Sequence, residues 1–200
     1  MDIHRWAKAL LTLRNLTICV IDTTGLQKDA DIIRLYTLDR HGNFDADLTM
    51  TSERHPDSPN TDFTGITMDE FEVAGSLKMF WNDIYNAVSG NFMLAYGFDF
   101  IQERLDENAK HYGLEPIFMI GDDLMHAAIQ YFRSPNYGLK LTDACARIGY
   151  TLPARPDAIQ RAKGQFALLS AMAKGPYQRP ARPVVTPDDQ LSKDMEERPF

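Results

Sequence analysis

Asp22 is the acid around which any chemistry in this chain would be built. It lies in the stretch TICVIDTTGL at residues 17–26, whose Val, Ile and Thr favour a strand. A strand turns positions 20 and 22 to one face, where two carboxylates would suit a hard cation, but Val20 supplies no oxygen. If a bulge or a two-residue slip placed Asp99 rather than Ile101 at a strand end, Asp22, Asp99 and Asp157 could converge as three ligands. The opposing reading of Asp22 is local, a hydrogen bond to the backbone of the Thr23-Thr24-Gly25 turn. Asp123 and His126 stand three apart on an expected helix and could face a common site; they also read as a helix N-terminal acid and a partly exposed His.

The elements that must position these residues follow from periodicity. Asp2 caps a short helix in which Ile3, Trp6, Ala7, Leu10 and Leu11 share a face. Residues 16–21 are apolar on both faces and read as a central strand. Residues 30–39 and 44–50 are two more strands joined by the His41-Gly42-Asn43 turn, so the chain starts as an antiparallel three-stranded unit. Residues 51–62 form a surface loop. Thr67 and Glu70 make a capping-box pattern before a long helix expected over 71–88. A strand at 91–96 and a helix at 101–112 follow, then a weaker strand at 116–120 and helices at 122–132, 141–148 and 161–173. Three strands followed by alternating helices and strands and then by helices imply an α/β fold, a mixed sheet flanked by helices. The strand at 91–96 is expected beside the first, bringing Val20, Asp22 and Ile101 to one cleft.

At 200 residues and 44% apolar, the chain can bury one good core. Its net charge of -7, from 28 acidic and 21 basic residues, excludes strong unspecific attraction to phosphate backbones while leaving room for a small basic groove. Cys19 and Cys145 read as buried free thiols. The N-terminal segment is too short and too charged for a membrane span and lacks a cleavage pattern, so no membrane role and a cytoplasmic location are expected. Beyond residue 174 the composition turns Pro-rich and charged; residues 175–200 read as a tail on a domain spanning 1–174, with Val184-Val185 and Phe200 as points that could dock on a partner.

Several segments together resemble the DEDD 3'-5' exonuclease family, of the proofreading-subunit type. Thr23-Thr24-Gly25-Leu26 is similar to the tail of its first motif, with Asp22 at the Glu position and Val20 at the Asp position. Gly65-Ile66-Thr67 matches the segment before the long helix. Tyr96-Gly97-Phe98-Asp99-Phe100-Ile101, with Leu105 beyond, resembles the second motif and puts Ile101 at the position of a catalytic Asp. Leu139 to Cys145 and Arg147-Ile148-Gly149-Tyr150 look like the helix before the third motif. Gln160-Arg161-Ala162 and Gln165 then fall on His-Arg-Ala and the final Asp. The resemblance covers roughly residues 4–174.

It implies an RNase H-like fold of exonuclease type and a chain short of the groups that catalysis needs. In such enzymes carboxylates hold two Mg2+ ions about 4 Å apart, one activating water and the other stabilising the leaving oxygen. Val20, Ile101 and Gln165 remove three of the acids, and Gln160 lacks a titrating group to serve as base. A catalytically degenerate module acting through protein contacts, with no cofactor, is the first expectation. An active nuclease using Mg2+ or Mn2+ on Asp22, Asp99 and Asp157 is the second. The third is a metal-independent binder of a DNA or RNA end, whose terminal nucleotide would meet Thr24, Gly25, Leu26, Ile66 and Tyr96.

Overall fold

The computed structural model describes residues 2–57, 59–135 and 138–178. Its elements are α1 (Ile3–Thr12), β1 (Leu16–Thr23), β2 (Ile32–Asp39), β3 (Phe44–Thr51), α2 (Thr61–Thr64), α3 (Met68–Val73), β4 (Gly75–Ser76), α4 (Leu77–Val88), β5 (Phe92–Ala95), α5 (Phe98–Tyr112), β6 (Ile120–Asp123), α6 (Leu124–Phe132), α7 (Leu141–Arg147) and α8 (Ala158–Lys174). The expected tail lies, from residue 179 on, outside the described residues. Tyr177, just before that point, packs edge-on against Phe132 and at a tilt against Tyr131, at 4.7 and 5.7 Å between ring centroids.

Every residue of β1 is buried, as its two apolar faces require, because helices cover both sides of the sheet around it. The strand order is β4-β3-β2-β1-β5-β6. β2 runs antiparallel to β1 and to β3, whereas β5 runs parallel to β1 and β6 parallel to β5. Strand alternation sorts the core into two halves. Ile18 and Val20 pack with α1, α6 and α8, while Cys19 and Ile21 pack with α4 and α5. Both thiols are free and buried, and burial pushes Cys19 up to about 12 and Cys145 up to about 11. Among the described residues no helix is long and apolar enough to cross a membrane.

Four elements depart from the sequence expectation. The helix expected over 71–88 is broken: the Thr67–Glu70 capping box starts only α3, and the chain then extends so that Gly75 and Ser76 pair with Met50 and Thr51. Ser76 caps α4 afresh, its hydroxyl accepting from the Met79 amide. Within the loop expected over 51–62, α2 begins at Thr61. α5 starts at Phe98 rather than 101, because Gly97 adopts φ 92°, a left-handed turn that redirects the chain straight into helix. The last strand lies at 120–123 rather than 116–120. Gly121 permits its approach to β5, since a Cβ there would sit 1.8 Å from the Met93 carbonyl oxygen.

Asp123 ends β6 and fixes two helices. Its carboxylate accepts from the amides of Phe98 at 2.9 Å and Gly97 at 3.3 Å, at the start of α5, and of Met125 at 2.6 Å, in α6. It therefore acts as a helix cap, and His126 is exposed on α6.

Candidate functional site

A cleft of about 400 Å³ opens where β1 ends. Its floor is Ile21, Asp22 and Thr23, and Gly25 and Leu26 continue one wall. Asn60, Phe63 and Thr64 come from the N-cap and body of α2, Phe100 from α5, and Ala154, Arg155, Pro156 and Arg161 from the start of α8 and the loop before it. The position follows from topology: in a sheet with parallel strands, ligand clefts form beyond the strand ends, where loops diverge.

Asp22 is 5% exposed and does not bond to the Thr23-Thr24-Gly25 turn. One carboxylate oxygen takes the Arg161 guanidinium in a close ion pair, and the other, Oδ2, is buried without a partner. Arg161 also donates to the Ile21 carbonyl at 3.3 Å and, through Nε, to the Asp157 carbonyl at 3.4 Å. Burial pushes the Asp22 carboxyl above the usual carboxylate range, outweighing the pull of Arg161 and Arg34, and Asp157 adds to the rise.

The turn beside Asp22 is held by other groups. The Thr23 hydroxyl donates to the Gly25 carbonyl at 2.6 Å, and Thr24 exchanges hydrogen bonds with the Asp31 backbone. From α5, Arg104 donates to the Gln27 carbonyl and Asn108 pairs with the backbone of Ala30 and Ile32. Asp31 is fully buried and accepts from Ser52, Tyr112 and Arg54. Burial pushes its carboxyl up, but the hydrogen bonds from Arg54, Ser52 and Tyr112 outweigh it and hold Asp31 below the ordinary range. That stability is present above the ordinary carboxylate range and is lost as pH falls through the lowered folded value. Asp31→Asn should thus cost about 2–3 kcal/mol near neutrality, measured by urea unfolding, with the deficit shrinking at acid pH. A deficit that does not change with pH would refute the charged role.

The expected site residues separate. Asp22 lines the cleft, but Val20 is 3% exposed in the core half beneath α8, and Ile101 is 4% exposed in the other half, beside Ile21 and Leu105. Because α5 begins at Phe98, Phe100 is the residue of that turn that reaches the cleft and Ile101 turns into the core. Asp99 is exposed in the first turn of α5, and Asp157 caps α8, accepting from the Gln160 amide at 2.7 Å. Among the described residues no three His, Cys, Asp or Glu side chains gather as a metal site, so the set Asp22, Asp99 and Asp157 does not converge. Gln160 completes the capping box by accepting from the Asp157 amide, and Gln165 accepts from the Tyr96 amide at 3.1 Å.

Of the residues expected around a nucleotide, Gly25 and Leu26 line this cleft. Thr24 lines a neighbouring hollow with Asn60, Ile66 packs on Ile33 and Phe71, and the Tyr96 hydroxyl donates to the Leu139 carbonyl. Sequence reading passed over Arg155 and Phe63, which form the rim. The Arg155 guanidinium lies 5.1 Å over the Phe63 ring and 3.3 Å from Asp62. Phe63 follows directly on the Pro- and Ser-rich stretch at 51–62, where no periodicity marks a function, and the proximity of Arg155 to it is purely tertiary.

No protein-family model and no curated protein matches the sequence. Solved structures match the fold. The nuclease domain of 3'hExo, a DEDDh family member, bound to rAMP, aligns at TM-score 0.66 and 15% identity, over 84% of this chain and 96% of that one. A 3'-exonuclease that recognises the 3' end of the histone mRNA stem-loop aligns at TM-score 0.65 and 15% identity, over 82% of this chain and 65% of that one. Exonuclease X in complex with 5' overhanging duplex DNA aligns at TM-score 0.56 and 13% identity, over 80% and 92%. The chain thus spans just under two thirds of the histone-mRNA exonuclease. The six-stranded mixed sheet with its helices is an RNase H-like fold that matches DEDDh exonuclease structures.

Proposed function

We propose that this chain uses an exonuclease-like fold to hold the end of a nucleic-acid strand without cutting it. The Asp22–Arg161 ion pair carries this reading: the one carboxylate among the described residues lining the cleft is compensated by a side chain, while the groups that could bind a ligand stay in place around it. The cleft volume suits a nucleotide-sized ligand, and Leu26, Phe63 and Phe100 offer apolar and aromatic surface on which a base can stack. Arg155, 58% exposed and held by one surface ion pair, is available to a phosphate. The matched structures are a nuclease domain bound to rAMP, a 3'-exonuclease that recognises the 3' end of a histone mRNA stem-loop and an exonuclease in complex with 5' overhanging duplex DNA, which supports a strand end as the ligand class.

Fluorescence anisotropy with labelled single-stranded DNA and RNA in EDTA tests this. A Kd of about 1–100 µM is expected, weakened at higher salt, with Arg155→Ala costing several-fold. AMP should compete, and a circular strand without an end should bind less well. Equal affinity for circles would reject end recognition. A protein-contact role would use the same exposed apolar rim, Leu26 (86%) and Phe63 (60%), on an acidic molecule; absence of any strand binding would leave it as the better account.

A further inference from the structure

We propose that Arg161 is a built-in counter-cation that takes the place of a divalent ion at Asp22 and keeps the cleft free of metal. The residues do not fit a metal pair. A hard dication needs about six oxygens, including carboxylates held without competing donors. Here one Asp22 oxygen and the Ile21 carbonyl are both occupied by the guanidinium. The Gln160 and Gln165 carbonyls are spent on the backbone amides of Asp157 and Tyr96. Positions 20 and 101 are core hydrocarbon. Asp157 spends its Oδ1 on the cap of α8.

Yet the acid itself has not been made inert. Asp22 Oδ2 is buried, unpartnered and part of a residue that lines the cleft, an acceptor left over from the pairing with Arg161. A guanidinium meets a carboxylate with fixed geometry and cannot be lost to chelation or dilution, so charge balance at Asp22 is independent of the metal supply. Removing the guanidinium would free Oδ1 and the Ile21 carbonyl beside the unpartnered Oδ2, giving three oxygens in one place with no cation among them. Arg161 therefore controls whether the cleft takes a cation.

The inference rests on the non-cleaving reading of the same cleft, but its test needs no strand, so the two can fail separately. Full-length protein is titrated with Mn2+ and followed by electron paramagnetic resonance and by paramagnetic broadening of amide signals. The wild type should show no site near Asp22 up to about 1 mM, and the same spectrum as Asp22→Asn. Arg161→Gln should gain Mn2+ affinity at least about tenfold, with broadening centred on residues 21–25, and adding Asp22→Asn should abolish the gain. Arg161→Lys, which keeps a cation, should remain like the wild type. Folded Arg161→Gln that gains nothing would overturn the proposal. If that variant does not fold, the wild type and Arg161→Lys still decide it: broadening around Asp22 in either, lost in Asp22→Asn, also overturns it.

Discussion

Arg161→Met should lower stability by about 3–5 kcal/mol near pH 7, because it strands a buried carboxylate without its counter-charge. For a chain of this size that loss is about 10 °C in Tm. The Asp22 side chain is only 4% exposed, so water cannot replace the guanidinium, whereas Arg161 at 27% can still reach solvent when its partner goes. Asp22→Asn should therefore cost much less than Arg161→Met, and the double variant should recover much of the loss. The pH dependence has a defined sign. The folded carboxyl of Asp22 lies above the ordinary range, so the native state holds its proton more tightly than the unfolded chain. That contribution is fully present below the ordinary carboxylate range and is lost as pH rises through the raised folded value. Taking away Arg161 removes the main force that lowers Asp22, which widens the window toward neutrality. Urea unfolding at several pH values should show the Arg161→Met deficit shrinking on acidification and vanishing from the slope once Asp22→Asn is added. A deficit that is the same at all pH values would mean that packing, not charge, is lost.

The central strand and its neighbours were legible because their signal is local. The β-branched, mostly apolar run from Leu16 to Ile21 reads as a strand covered on both faces, and the His41-Gly42-Asn43 turn joins the next two strands as an antiparallel pair. Caps were legible for the same reason: Asp2, Thr67 and Glu70 satisfy amides one turn away. The broken helix at Ala74-Gly75-Ser76 was not, since apolar spacing continues across it and the deciding contact is a pairing with Met50 and Thr51, more than twenty residues earlier. The site shows the same division. Two-residue alternation correctly puts Val20 and Asp22 on one face, yet that face is core at Val20 and cleft floor at Asp22, a difference set by where the strand ends. For α5 the helical spacing of Ile101 and Leu105 is right, but periodicity tells which residues share a face and not which object the face meets. A helix starting three residues earlier sends Phe100 to the cleft and Ile101 to the core.

Purified protein should release no 3'-terminal nucleotides from single- or double-stranded DNA or RNA in Mg2+ or Mn2+ above a buffer control, where exonucleases accelerate hydrolysis by many orders of magnitude. A two-metal mechanism requires carboxylates that organise both ions, one to generate the attacking hydroxide and one to stabilise the leaving oxygen. The cleft floor has Asp22 in an ion pair with Arg161, and Gln160, the residue before Arg161, is an amide engaged in the cap of α8. Reinstating acids should not rescue it. Val20→Asp places a carboxylate at a position 3% exposed between β1 and α8, and Ile101→Asp does the same at 4% among Ile21 and Leu105. Each should cost several kcal/mol of stability, since an unpaired buried charge outweighs anything a weakly held ion returns. Following release of labelled mononucleotides against Asp22→Asn and Asp99→Asn gives the decisive comparison. All three proteins should sit at the same background. Metal-dependent release by the wild type that disappears in both variants would mean that the exposed Asp99 moves to join Asp22 on binding a strand, and the non-cleaving reading would have to be abandoned.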